Sequence, residues 1–230
     1  MSYRFALSLY EISVWVLPLV IAITLHEAAH GYVARWCGDE TAARLGRLSL
    51  NPLRHVDPFG TILLPALLLI AHAPFLFGYA KPAPVNFSAL RNPKLDSALV
   101  AAAGPAMNFL LATLSALLFH VVVFLPNGVA GWVADNLSNS LVINVLLAVF
   151  NLLPIPPLDG GRILVGLLPG ALSRALASVE PYGMSILVAA LLALPWLGAQ
   201  TGIDLSFVWQ GVARVTNAIV AAIAGIAGVG

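Results

Sequence analysis

The chain is poor in charge. Lysine and arginine together number 11 and aspartate and glutamate 10 among 230 residues, so 9% of the sequence is charged. Soluble domains carry about 25%, and the shortfall excludes an ordinary soluble fold. Apolar residues make up 60% and mean hydropathy is +0.94, as an integral membrane protein requires. A net charge of +1 offers no basic excess for a nucleic-acid partner. Cysteine is nearly absent: Cys37 stands alone, which excludes an internal disulfide and reads as a small apolar residue at a helix end. No small-residue cleavage site follows the first apolar run, so that run is expected to be a retained span and not a signal peptide. No repeat of fixed period and no appended soluble domain is evident.

What is present is a series of apolar runs. The first, from about Ser8 to Arg35, can cross a hydrocarbon core of roughly 30 Å at about 1.5 Å per residue. A second, Phe59 to Tyr79, is interrupted by Pro65 and Pro74. Others cover Leu95–Leu125, Leu137–Leu153, Met184–Leu197 and Leu205–Val229, with "PNGVAGWVADN" expected as a loop before Leu137. Basic loops flank the Phe59–Tyr79 run on both sides. If that run dips in and returns, the basic residues from Arg35 to Lys94, with Arg162 and Arg174, share the inner face, and Arg4 alone lies outside. The expected fold is therefore an all-α integral membrane protein of about five transmembrane helices plus a re-entrant segment, with an outside N-terminus and an inside C-terminus.

Two histidines and a glutamate interrupt the first run in "AITLHEAAHGYVARW". Ionisable groups at membrane depth are expensive and usually functional. His26-Glu27-Ala28-Ala29-His30 is H-E-x-x-H. Four residues of helix turn through about 400°, so the two imidazoles lie within about 40° of one face. Both can bind one zinc ion, and Glu27 can reach water held beside it. A catalytic zinc usually takes a third protein ligand. Asp159 and Asp204 are the acidic candidates near later apolar segments, and Asp159 is favoured by its setting, "NLLPIPPLDGGRI". The prolines there cannot sustain a helix, and a helix broken at membrane depth marks a built site. The bland alternative is a loop aspartate paired with Arg162.

"HEAAH", "AAAGPAMNF" (residues 101–109) and "NLLPIPPLDGG", in this order, resemble the site-2 protease family of intramembrane zinc metalloproteases. The resemblance covers about residues 12–168. It implies one zinc per chain held by His26, His30 and Asp159, with Glu27 as catalytic acid and base. It also implies a multi-pass cell-membrane protein whose active site faces the cytosolic side. The run "GTILLPALLLIAHAPFLFGYAKP" is similar to the re-entrant β-loop of such proteases, and "FGYAK", with Tyr79 and Ala80, is expected to supply a strand edge for an extended substrate. The chain is read as one domain, 1–230, with a catalytic core at about 8–168 and C-terminal helices at about 183–229. With neither the PDZ nor the CBS module of many relatives, it reads as a minimal form.

Two amides match asparagines of the family pattern. Asn151 is expected to bind the substrate backbone or a developing oxyanion, and Asn108 to contact substrate or fix the core spans; for both, an interhelical hydrogen bond is the structural alternative. Asn144 is expected to pack. His55 reads as interfacial, His72 as making a local turn contact and His120 as satisfied by a neighbouring helix. The expected partners are a transmembrane protein substrate and the lipid bilayer. The rival readings are an ion or metal transporter using the same His, Glu and Asp site, and an inactive binder of membrane proteins.

Overall fold

The computed structural model describes residues 9–63, 67 and 81–229. Helices of eight or more residues are, in chain order, α1 (Leu9–Trp36), α2 (Pro93–Val122), α3 (Asn127–Asn151), α4 (Asp159–Leu167), α5 (Gly170–Ala177), α6 (Glu180–Thr201, π-helical over Ala189–Ala193) and α7 (Phe207–Ala227). Five of these, α1, α2, α3, α6 and α7, are long and apolar enough to cross a membrane. No strand occurs among the described residues. The protein is thus a multi-pass membrane protein, all-helical over the described residues.

The first three helices form the centre, each against the other two; α4 lies on α2, and α7 packs against α3 and α2. Lipid gives apolar side chains no reason to leave it, so close backbone approach must hold the helices together. Small residues supply it. Ala112 and Ala116 of α2 are fully buried against Leu141 and Val145 of α3, with Ile219 and Ile223 of α7 alongside.

Helix α3 starts ten residues earlier than Leu137, so the expected loop "PNGVAGWVADN" is mostly helix. Its polar residues pair with α1. Trp132 Nε1 donates to Ser13 Oγ at 2.9 Å, Tyr10 Oη to Asp135 at 2.5 Å, and Asn139 Nδ2 to the Val14 carbonyl at 2.9 Å. Composition alone reads such polarity as a loop, whereas a facing helix with complementary groups turns it into an interhelical seam.

The opposite ends of α1 and α2 are joined through the chain between them. Arg91 donates through Nε and Nη2 to the carbonyls of Cys37 and Trp36, using acceptors that the end of α1 leaves open. Asn92 caps α2, and Pro93 follows at the first helical position. Asp39 is buried and accepts from the Thr41 amide and hydroxyl and, through its second oxygen, from the Asn86 amide at 2.7 Å. Lys81 N–H donates to the His55 carbonyl at 2.8 Å, which places both flanks of the 64–80 stretch at this end. Most of the expected re-entrant run 59–79, including His72, lies outside the described residues, as do Tyr79 and Ala80.

Burial pushes the Asp39 carboxyl up, but the hydrogen bonds from Thr41 and Asn86 and the charge of Arg44 outweigh it and hold the group below its ordinary value of 3.8. A depressed carboxylate stabilises the fold above that ordinary value, and the contribution fades as pH falls through the depressed one. Asp39→Asn should therefore destabilise the neutral-pH protein by about 1–3 kcal/mol, since an amide turns a donor toward a donor. Unfolding midpoints followed through an acid titration should show the gap to wild type closing only below the carboxylate range.

Candidate active site

Three helices build the site. His26 and His30 stand on one face of α1, Asn108 and Gly104 approach from α2, and Asp159 opens α4. The turn between α3 and α4 folds back so tightly that a Cβ on Gly160 would lie 2.2 Å from the Leu152 carbonyl oxygen. Glycine there lets Asp159 swing in under the two imidazoles. Its Oδ2 lies 3.2 Å from His26 Nε2 and 3.5 Å from His30 Nε2, and the two Nε2 atoms are 3.0 Å apart. All three side chains are buried or nearly so.

The other ring nitrogens decide the tautomers. His30 Nδ1 lies 2.7 Å from the Val100 carbonyl, which can only accept, so Nδ1 carries the proton. His26 Nδ1 lies 2.5 Å from Asn108 Oδ1 and carries its proton too. Both Nε2 atoms therefore present lone pairs to each other and to a carboxylate oxygen that receives no hydrogen bond. Three acceptors converging at 3.0–3.5 Å repel one another unless a cation lies among them. Tetrahedral zinc with ligands at about 2.0–2.1 Å has ligand-to-ligand edges of about 3.3 Å, and His₂-carboxylate is a known catalytic zinc set. The residues present fit zinc. They also leave room for it: a Cβ on Gly104 would stand 2.4 Å from His30 Nε2 and 2.6 Å from His26 Nε2.

Glu27 borders the same cavity, which measures about 240 Å³. Its Oε2 accepts from the Ala83 amide at 2.9 Å. The extended stretch around Pro82 and Ala83 is tethered at Asn86 by Asp39, so the α1 terminus helps to position the strap that touches Glu27. Asn151 also lines the cavity, its Nδ2 donating to the Leu147 carbonyl of its own helix at 2.9 Å. Arg162 stands at the rim, paired with Glu180 at 3.1 Å and placed over the Phe87 ring.

The structure thus brings together His26, Glu27, His30, Asn151 and Asp159. Asn108 meets His26 at the site's edge. Asp204 lies elsewhere, hydrogen-bonded to Ser206 and Gln210. Sequence reasoning missed Gly104, Ala83 and the part played by Asn144. Gly104 carried a signal in the "AAAGPAMNF" stretch, since glycine within a long helix loses about 1 kcal/mol relative to alanine. Asn144 had none beyond its polarity.

Such a centre, set among apolar helices, defines a membrane metalloprotease. Residues 14–141 and 126–194 match the profile of Peptidase family M50. The Bacillus subtilis (strain 168) protein YwhC, named provisionally as a zinc metalloprotease, is 40% identical over 177 residues, which cover 74% of this chain and 76% of that protein. The Rip2 proteins of Mycolicibacterium smegmatis and of Mycobacterium tuberculosis strain H37Rv, named in the same provisional way, are each 32% identical over 174 residues. Those matches take in 75% and 76% of this chain and 64% of each Rip2. No solved structure matches. The chain belongs to Peptidase family M50 and is a zinc metalloprotease.

Gly104→Ala should keep the helices and lose the metal. Alanine favours the helix, but its methyl group would overlap the imidazole nitrogens. Circular dichroism should be unchanged, while metal analysis of the purified variant should fall well below that of wild type.

Proposed function

We propose that the protein is an intramembrane endopeptidase that hydrolyses peptide bonds within or beside the membrane-spanning segments of other membrane proteins, from the cytosolic side. The carrying observation is the meeting of His26, His30 and Asp159 around one point, with Glu27 on the same cavity, inside a group of apolar helices. The reading makes His26, His30 and Asp159 the ligands of a single zinc.

Zinc held there would polarise the scissile carbonyl and the attacking water. Glu27 takes the proton from that water as it attacks and passes it to the departing amine. The Ala83 amide occupies Oε2 and holds the carboxylate in one orientation, leaving Oε1 for the proton. Asn151 spends one amide hydrogen on the Leu147 carbonyl and keeps the other for a substrate carbonyl.

Charge supports the cytosolic orientation. Arg91 and Lys94 lie at the end of the protein where α1 stops, beside Arg44 and Arg47, and Lys94 Nζ donates to the Leu168 carbonyl that follows α4. Among the described residues, the α1–α3 seam at the other end contains Asp135 and no lysine or arginine. Basic residues gather on the cytoplasmic side of membranes. Both flanks of the 64–80 stretch sit at this basic end, which supports the reading that the 59–79 run enters and returns.

The test is cleavage of a single-span membrane substrate by the full chain in liposomes. Glu27→Gln should retain zinc and lose at least about 100-fold in rate, the usual scale of general acid–base catalysis. A Glu27→Gln protein that cleaves at the wild-type rate would reject the assignment. Chelation should abolish cleavage and added zinc should restore it. His26→Ala and Asp159→Ala should each lose both metal and activity.

A further inference from the structure

The tautomer of His26 is reached by a chain of three hydrogen bonds that ends on α3. Asn144 on α3 is fully buried, and its Nδ2 lies 2.9 Å from the Ser140 carbonyl, a group that can only accept. The amide nitrogen must face that carbonyl, so Oδ1 faces the other way. There it meets Asn108 Nδ2 at 2.8 Å. Asn108, also fully buried, is thereby obliged to turn its oxygen toward His26 Nδ1, at 2.5 Å. The far end is supported by the Ser140 and Ser115 hydroxyls, 2.8 Å apart across α3 and α2. Asn108 Nδ2 also lies 3.4 Å from the Ala22 carbonyl of α1, so two backbone carbonyls, Ser140 acting through Asn144 and Ala22 directly at the longer distance, set which nitrogen of His26 carries the proton.

We propose that Asn144 is a positioning residue for the metal centre. It holds no atom near the metal position, yet it supplies the shorter of the two bonds, 2.8 Å against 3.4 Å to the Ala22 carbonyl, that orient the Asn108 amide and with it the lone pair on His26 Nε2. The proposal rests on the reading that His26 is a zinc ligand. A carboxamide can flip, and a flipped Asn108 would present N–H groups to His26 Nδ1. The imidazole would then have to put its proton on Nε2, where it blocks coordination. His30 needs no such relay, because the Val100 carbonyl has only one role to offer. The two imidazoles are therefore unequal: His30 meets a backbone carbonyl directly, and His26 meets an amide that must itself be oriented. Partners that orient a ligating histidine typically change metal affinity by about 10–100-fold when removed.

A carboxylate at position 108 separates this role from packing. Both its oxygens accept, so His26 Nδ1–H is satisfied whichever way the group turns, and the relay becomes unnecessary. Zinc affinity is measured by chelator competition on the full-length protein in detergent, for wild type, Asn144→Leu, Asn108→Asp and the double variant. Asn144→Leu should weaken zinc about 10–100-fold in the wild-type background. In the Asn108→Asp background the same change should not weaken it, since leucine also removes the Asn144 oxygen that would face the new carboxylate. A purely structural asparagine would weaken zinc equally in both backgrounds, which overturns the proposal, as does unchanged affinity in Asn144→Leu alone. Nitrogen-15 spectra of the histidines in metal-free wild type give a reading that needs no variant. His26 should carry a proton on Nδ1, and an Nδ1 without one overturns the relay. If wild type binds zinc no better than His26→Ala, the ligand assignment itself fails and the relay fails with it. Tight wild-type binding combined with an indifferent Asn144→Leu removes the relay alone.

Discussion

Three electron-rich atoms, two imidazole nitrogens and one carboxylate oxygen, are pressed to within 3.0–3.5 Å of each other where hydrocarbon surrounds the helices. That arrangement is unfavourable without a cation, and the rest of the protein serves to hold it. The two histidines come from one helix face by the pitch of the α-helix. The aspartate arrives from about 130 residues downstream, on a helix whose entry is bent back by proline and glycine. Gly104 keeps the space between them clear. A fold with a weaker constraint would let the groups drift apart and take ordinary hydrogen bonds.

The polar groups that join the helices divide into an exposed or half-buried zone and a buried one. At the end remote from the site, Trp132, Asp135 and Asn139 pair with Ser13, Tyr10 and Val14 and join α3 to α1. Near the site, Ser140 and Asn144 of α3 meet Asn108 of α2, which reaches His26. In lipid an unpaired polar group has no water to turn to, so each of these contacts fixes the relative rotation of two helices. Helix packing and metal-site chemistry are thereby settled by one row of hydrogen bonds. The strap over Glu27 follows different rules: it lies outside the spans and is held by backbone amides given to Glu27 and Asp39.

Much of this was legible from residue order. Four-residue spacing on a helix placed His26 and His30 together, because helix pitch is the same in any context. The five spans followed from run length and hydropathy, which report the transfer of side chains into lipid and little else. The reading failed where polarity was mistaken for exposure. Residues 127–136 look like a loop because they are polar, and they are helical because α1 offers them partners. Asn144 looked like filler for a similar reason: an amide's worth depends on what faces it.

By itself, then, the sequence determined that this is a membrane protein, where its helices run, and that one helix face presents two imidazoles flanking a carboxylic acid. These depend on local repeat and on burial propensity, which need no knowledge of neighbours. Only the tertiary structure decided that Asp159 and not Asp204 meets the histidines, that Gly104 opens the space between them, and that Asn108 and Asn144 line up behind His26. Those outcomes depend on distances between segments far apart in the chain, and on the direction in which each hydrogen bond must run once every buried donor has found its acceptor.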